Sequence, residues 1–223
     1  MALTFPRPFP GAVAQEYFEI DRPDHLTAVV GGAVSGVTDG WPRWAARWTL
    51  GRSMSRETSE AWRAMLTSLR GQQRTFFAGD SERPFPAAYP DGFGGMTRAA
   101  GGAFDGTATS WSINTDRDTL ALNGLRAGFV LSLNDYLMFR WTTGGEQRRS
   151  LHRSIEAVTG NGSGVLTAAF EPAVPTFVPS GAVADFVKPE CIMRLDVGQT
   201  RVGDRDRTGK ISGTVVAVQD LRA

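Results

Sequence analysis

From Arg43 to Leu50, Trp44, Ala46, Trp48 and Leu50 alternate with Arg43, Ala45, Arg47 and Thr49. A period of two sends successive side chains to opposite faces, so this stretch predicts a strand with both tryptophans on a buried face. The period then lengthens. Ala61, Trp62, Met65, Leu66 and Leu69 recur every three to four residues, with Arg63, Thr67 and Ser68 outside the stripe, which predicts an amphipathic helix over 55–70. Its ends carry their own signals: Ser55 as N-cap, Glu57 in the first turn, Arg70 in the last, and Gly71 as the left-handed terminator. Trp44 and Trp48 are expected to pack on Trp62, Met65, Leu66 and Leu69, because these are neighbouring apolar surfaces joined by a short connection.

Strand periodicity is weaker elsewhere but recurs along the chain. A turn over Asp21–Asp24 leads into a Val/Ala/Gly strand from Thr27 to Val37, and Arg74–Ala78 reads as a strand after the helix. Asp80–Gly106 shifts to Pro, Gly, Ala and scattered aromatics and reads as a connection. Strands follow near Thr107–Ile113, Thr119–Leu122, Asp135–Trp141, Leu151–Val158 and Val165–Phe170, the last two flanking an Asn161-Gly162-Ser163-Gly164 turn. Cys191–Leu195 is a short strand, and Lys210–Gln219 is Val-rich. A strand that ends a chain tends to join an existing sheet, which implies two modules: 1–90 with 197–223, and an inserted β-sandwich over 91–196. The two Val-rich segments carry little charge, so Val29, Val30, Val34, Val37, Val215, Val216 and Val218 are candidate subunit-contact positions on exposed edges.

Composition narrows the function. With 223 residues and 41% hydrophobic content the chain can bury a substantial core. No run approaches the ~20 apolar residues of a membrane-spanning helix, and Arg7 and the prolines near the start interrupt any secretory h-region, so neither membrane insertion nor export by that route is expected. Net charge of +1 offers no field for nucleic acid, although 22 of the 24 basic residues (24 less Lys188 and Lys210) are arginine. Cys191, the sole cysteine, has no partner for an intramolecular disulfide and reads as a small buried hydrophobe.

Catalytic material is sparse. His25 and His152 are the only histidines, no Gly-x-Ser-x-Gly elbow occurs, and His152 reads as structural. Asp204-Arg205-Asp206-Arg207-Thr208-Gly209 starts like a calcium loop, but Val215 stands where the bidentate Glu belongs, so a hairpin turn is the better reading. Gly160–Gly164 opens no helix and reads as a turn rather than a phosphate loop. Asp116, Asp118, Asp135, Glu156 and Glu171 are the carboxylates a glycosidase would draw on, and Trp111, Tyr136 and Trp141 the aromatics a carbohydrate-binding sandwich would present. The expectation is a non-enzyme without cofactor or metal.

The run Trp44–Leu50, then Ser55–Gly71 with its Trp62-Arg63-x-x-Leu66-x-x-Leu69-Arg70-Gly71 core, then Phe76-Phe77-x-x-Asp80, resembles the N-terminal part of distal tail proteins of long-tailed bacteriophages. Asp135-Tyr136-Leu137, Leu151-His152-Arg153, Gly164-Val165-Leu166, Glu171-Pro172 and Met193-Arg194-Leu195 are similar to phage tail structural proteins, and together these segments cover about two-thirds of the chain. The resemblance implies a mainly β fold: a tail-tube-like sandwich or split-barrel module with one packed helix, carrying a second β-sandwich. It also implies a closed ring, a hexamer, at the virion tail tip, joining the tail tube to the hub and to host-binding proteins. The alternatives are a carbohydrate-binding module or another tail component such as a tube or hub protein.

Overall fold

The structure, a computed structural model, describes residues 5–10, 14–28, 34–38, 40–51, 54–203 and 207–221, with the backbone alone at 25–28, 34, 35, 37 and 38. Within these, strands β1 (Ala14–Asp21), β2 (Asp24–Ala28), β3 (Val34–Thr38) and β4 (Arg43–Leu50) precede helix α1 (Arg56–Leu69) and β5 (Phe76–Ala78). Then follow β6 (Ser110–Ile113), β7 (Thr119–Asn123), β8 (Val130–Leu131), β9 (Tyr136–Thr143), β10 (Glu146–Ser154), β11 (Val158–Thr159) and β12 (Leu166–Glu171). The chain ends with β13 (Val183–Asp185), β14 (Cys191–Leu195), β15 (Arg201–Val202) and β16 (Gly213–Gln219). The protein is mainly β, its named strand pairs are antiparallel, and α1 is the one helix among the described residues.

The first sheet runs β1-β4-β16-β14-β5, with β15 added beside β16. Alternation along β4 buries Trp44, Ala46, Trp48 and Leu50 completely or nearly so. Helix α1 lies over this face because its stripe of Trp62, Met65 and Leu69 is equally buried, with Leu66 half-buried beside it. The contact is divided. Trp48 meets Trp62 at 6.2 Å between ring centroids, whereas Trp44 stacks on Phe18 at 5.2 Å and reaches Tyr136 at 5.6 Å. Ser55 Oγ accepts from Thr58 N–H at 3.0 Å, as an N-cap should. At the other end the cap is Arg70, in the left-handed region at φ 50°, and the expected terminator Gly71 follows it at φ 68°. Ser59, buried on α1, accepts from Ile211 N–H at 2.9 Å and ties the helix to the C-terminal segment.

Two expectations drawn from edges and boundaries are corrected here. Strand β16 is interior: Val215, Val216 and Val218 pair with Trp48, Arg47 and Ala45 of β4. On its other side β14 and β15 pair with it, and the Val216 carbonyl accepts from Asp196 N–H and Thr200 Oγ1. Its backbone is therefore used within the chain, and these valines offer no free edge. Strand β14, assigned from sequence to the insert, pairs instead with β5 and β16, so the first sheet reclaims the chain from Cys191 onward.

The second sheet runs β13-β9-β10-β12-β7-β6, and its two ends meet. Thr107 bridges Asp185, Ala108 N–H donates to Ala184 O at 2.9 Å, and Phe186 N–H donates to Gly106 O at 3.0 Å. The expected sandwich of two sheets is thus one sheet rolled into a barrel, closed where 106–108 meet 184–186. Its core holds Leu122, Phe129, Leu137, Phe139, Phe170 and Phe186. Residues 80–106 are not a bare connection. Tyr89, Phe93 and Phe104 are buried in this second core, and Tyr89 stacks on Phe129 at 5.0 Å. At the predicted turn, Asn161 Oδ1 accepts from Ser163 and Val165 N–H, both at 3.0 Å, which replaces the ladder bonds lost between β11 and β12.

Gly79, just after β5, shows how tightly the first sheet closes on 189–190. A Cβ there would lie 2.0 Å from the Pro189 carbonyl oxygen and 3.2 Å from Glu190 Cα, both backbone atoms with nowhere to move. Gly79→Ala is expected to destabilise the fold by about 1–3 kcal/mol, as for other forced overpacking. Denaturant unfolding measures this, and an unchanged midpoint would show that β5 and 189–190 are not in close approach.

Candidate functional site

The sheet edges decide what surface is left for a partner. The outer side of β5 is covered by the N-terminal segment: Arg7 N–H donates to Thr75 O at 3.0 Å and Phe77 N–H to Arg7 O at 2.7 Å. Among the described residues, β1 is paired on one side alone, by β4. Its acidic side chains are held by arginines of the same subunit, Glu16 by Arg47 at 2.8 Å, Asp21 by Arg43 at 3.4 Å and Glu19 by Arg153 at 2.7 Å. Pairing the acids this way lowers the repulsion that would otherwise guard the edge.

Beyond β1 the chain turns, with Asp24 N–H donating to Arg22 O at 2.8 Å, into the β2–β3 hairpin. Its register sets Ala28 opposite Val34 and His25 opposite Val37. Val29 and Val30 lie outside the described residues. Residues 25–38 contain no Asp, Glu, Lys or Arg, and the hairpin pairs with no third strand among the described residues. A two-stranded ribbon of this composition is marginal in water on its own.

The barrel is fastened to the first sheet through a shared core. Tyr136, Met138 and Leu151 of β9 and β10 belong to the cluster built around Trp44 and Trp62. Trp44 Nε1–H donates to Leu151 O at 2.8 Å, Arg22 pairs with Glu171 at 2.8 Å, and the Arg149 guanidinium lies 3.8 Å from the Phe77 ring centroid. The two units therefore present their outer surfaces in a set geometry.

The candidate chemical groups are placed in structural roles. His152 is buried, its Nδ1 2.6 Å from Pro172 O and its Nε2 2.8 Å from Ser150 Oγ. Burial pushes its pKa down to about 4, with Arg117 contributing and the Pro172 bond opposing. The Cys191 thiol is buried and its pKa is pushed up by desolvation, which leaves it protonated and inert. Asp135 is buried, accepting from Ala87 N–H at 2.9 Å and Ser132 N–H at 2.6 Å; desolvation raises its pKa against those bonds. Asp118 is tied to Asn114 and Thr119, Glu156 to Ala169 N–H, and Glu171 to Arg22, so each carboxylate serves its own loop or junction. Among the described residues no three His, Cys, Asp or Glu side chains gather as a metal site; Asp204–Asp206 lie outside them.

The aromatics considered for sugar stacking are mostly spent on packing. Trp111 sits 4.5 Å from Phe139 between centroids and donates from Nε1 to Ala182 O at 2.7 Å, and Tyr136 is buried between Phe18 and Trp44. Trp141 remains half-exposed, 6.3 Å from Phe177. It borders an open cleft of about 710 Å³ with Arg140, Arg148 and Arg149. Each of these arginines has an acidic partner, Asp185, Glu146 and Glu190 respectively, so the cleft carries little uncompensated charge.

No protein-family model matches this chain, and no curated protein matches it. The cavity beside Ser150 and His152 is a feature that sequence reading did not separate from the rest, whereas the segment that forms the β2–β3 hairpin was already marked by its lack of charge. The one signal for the cavity was the spacing of Ser150 and His152, two residues apart on one strand face.

Proposed function

We propose that this chain is a structural subunit of a phage tail tip, a distal tail protein that closes with copies of itself into a ring, a hexamer by resemblance. On this reading the first sheet with α1 across it is the tail-tube-like, ring-forming module, and the barrel is the peripheral module. The ring sits in the virion at the end of the tail tube, and its partners are the tube, the hub and host-binding proteins. It acts by assembly and carries out no reaction.

The observation that supports this best is the β1 edge, unpaired on its outer side among the described residues, running into a β2–β3 hairpin that carries no charge over 25–38. An edge and a ribbon of that kind are costly to leave in water and are satisfied by pairing with a neighbouring chain. Pairing one edge with a different edge of the next copy is head-to-tail, and it forms a ring when the rotation closes. Val34 and Val37 on β3 remain contact candidates in this scheme; Val215, Val216 and Val218 do not.

Electron microscopy of concentrated protein, or of the assembled particle, is expected to show a closed ring with the first sheet at the subunit contacts. Introducing Val34→Asp with Val37→Asp should abolish the ring, because charges on β3 guard it against pairing with another chain, and the unfolding midpoint of the dilute subunit reports whether its own fold is kept. A single copy per particle, or contacts made by the barrel with the first sheet facing solvent, would overturn the proposal.

A further inference from the structure

A cavity of about 240 Å³ opens where the barrel meets the end of β16. Its walls are apolar, formed by Pro42, Pro172, Ala173 and Pro175. At its rim stand two of the large apolar side chains the chain leaves in water, Trp41 at 54% exposure and Phe177 at 39%. Its lining also includes three buried polar residues, Ser150, His152 and Gln219. An apolar enclosure with a few fixed polar groups is the usual form of a small-molecule site.

The polar groups are oriented by a relay. A carbonyl oxygen can only accept, so Nδ1 of His152 carries the ring proton that points at Pro172 O. With the imidazole neutral, Nε2 is an acceptor, and the Ser150 hydroxyl directs its proton there at 2.8 Å. The Ser150 oxygen then has its lone pairs left for a donor. Gln219 is held in place by accepting from Trp44 N–H through Oε1 at 3.1 Å.

We propose that this cavity binds a small planar aromatic molecule carrying one N–H or O–H, of indole or phenol size, with its ring against Trp41 and Phe177 and its donor on Ser150 Oγ. Size supports the class, since a dry cavity of ~150 Å³ holds a single benzene ring and this one has room for a bicycle. The same volume is too small for a peptide strand, so the source is a free small molecule. The relay supplies specificity: a ligand without a donor leaves the buried Ser150 oxygen donating to His152 but accepting no hydrogen bond. This inference is independent of ring formation, because the lining comes from one subunit.

Titration calorimetry on the full chain with indole and N-methylindole, and with phenol and anisole, tests it. The expected result is one saturable site, with the methylated member of each pair about 5–10-fold weaker, the worth of one hydrogen bond. Ser150→Ala should erase that discrimination, and Trp41→Ala or Phe177→Ala should weaken both members of a pair. The rim variants remove exposed side chains and keep the test available if the Ser150 variant does not fold, which its unfolding midpoint reports. No saturable binding by either pair at low millimolar concentration, equal affinity within each pair, or binding indifferent to both rim variants would each overturn the proposal. Tighter binding of N-acetyltryptophanamide than of indole would overturn the free-molecule source in favour of a side chain presented by another chain.

Discussion

Trp62→Ala is expected to destabilise the fold by about 3–5 kcal/mol, the range for removing a large buried aromatic. Trp62 has no exposed surface, and its ring is held by Phe9 edge-on at 5.3 Å and by Trp48 at 6.2 Å. Helix α1 has Trp62, Met65 and Leu69 as its large buried anchors on the sheet, and the space left by an indole between them could not collapse without moving the helix. For a chain of this size the melting midpoint should fall by roughly 2–4 °C per kcal/mol. Trp62→Phe should cost much less, below about 2 kcal/mol. It keeps an aromatic ring in place and also removes an indole N–H that has no hydrogen-bond partner among the described residues. A Trp62→Ala midpoint equal to that of the natural protein would mean that α1 does not bury this face.

Acid should weaken the fold through His152. In the unfolded chain a histidine titrates near 6.5, whereas burial holds His152 down to about 4. Between those values the unfolded state takes up a proton that the folded state refuses, so stability is complete above pH 6.5 and is lost as pH falls. The slope is about 1.4 kcal/mol per pH unit, and the loss reaches about 3 kcal/mol near pH 4. Asp135 acts in the opposite sense at the acid end of this window, because its raised folded pKa favours uptake of a proton by the native state. The carboxyls of Asp105 and Asp118 are lowered, so the stability they contribute is lost as pH falls further. Denaturant unfolding at pH 7 and pH 5 measures the effect, and His152→Gln isolates it by removing the titrating ring. An identical pH dependence in that variant would show that His152 is not the group responsible.

Both effects trace to side chains whose surroundings differ in how local they are. Strand β4 and helix α1 could be read directly, since a period of two or of three to four is written in residues that are neighbours in the chain, and Ser55 caps its own helix. Burial of Trp44, Trp48, Trp62, Met65 and Leu69 follows from the same periodicity, because a face that apolar must be covered by something. What covers each residue was not legible. Trp44 and Trp48 share a face in sequence, yet one packs on Tyr136 of the barrel and the other on α1.

The misreadings have one physical origin. Composition reports what the backbone can do locally, and long-range pairing decides where it goes. Val215, Val216 and Val218 look like an unguarded edge, but β4 and β14 arrive from residues 43–50 and 191–195 and close both sides. The glycines and prolines of 80–106 permit turns, and those turns bring Tyr89, Phe93 and Phe104 into the barrel core rather than out to solvent. The cap of α1 falls on Arg70 rather than Gly71, a one-residue shift that helix-end statistics do not resolve. Nor did periodicity distinguish a sandwich from a barrel, since both alternate alike and differ in whether Thr107 meets Asp185. Elements are set by interactions within a few residues and so were visible in the chain itself. Partners, edges and the cavity beneath Trp41 depend on segments distant in the chain, such as Thr107 with Asp185 or Trp41 with Gln219, and tertiary packing alone placed them.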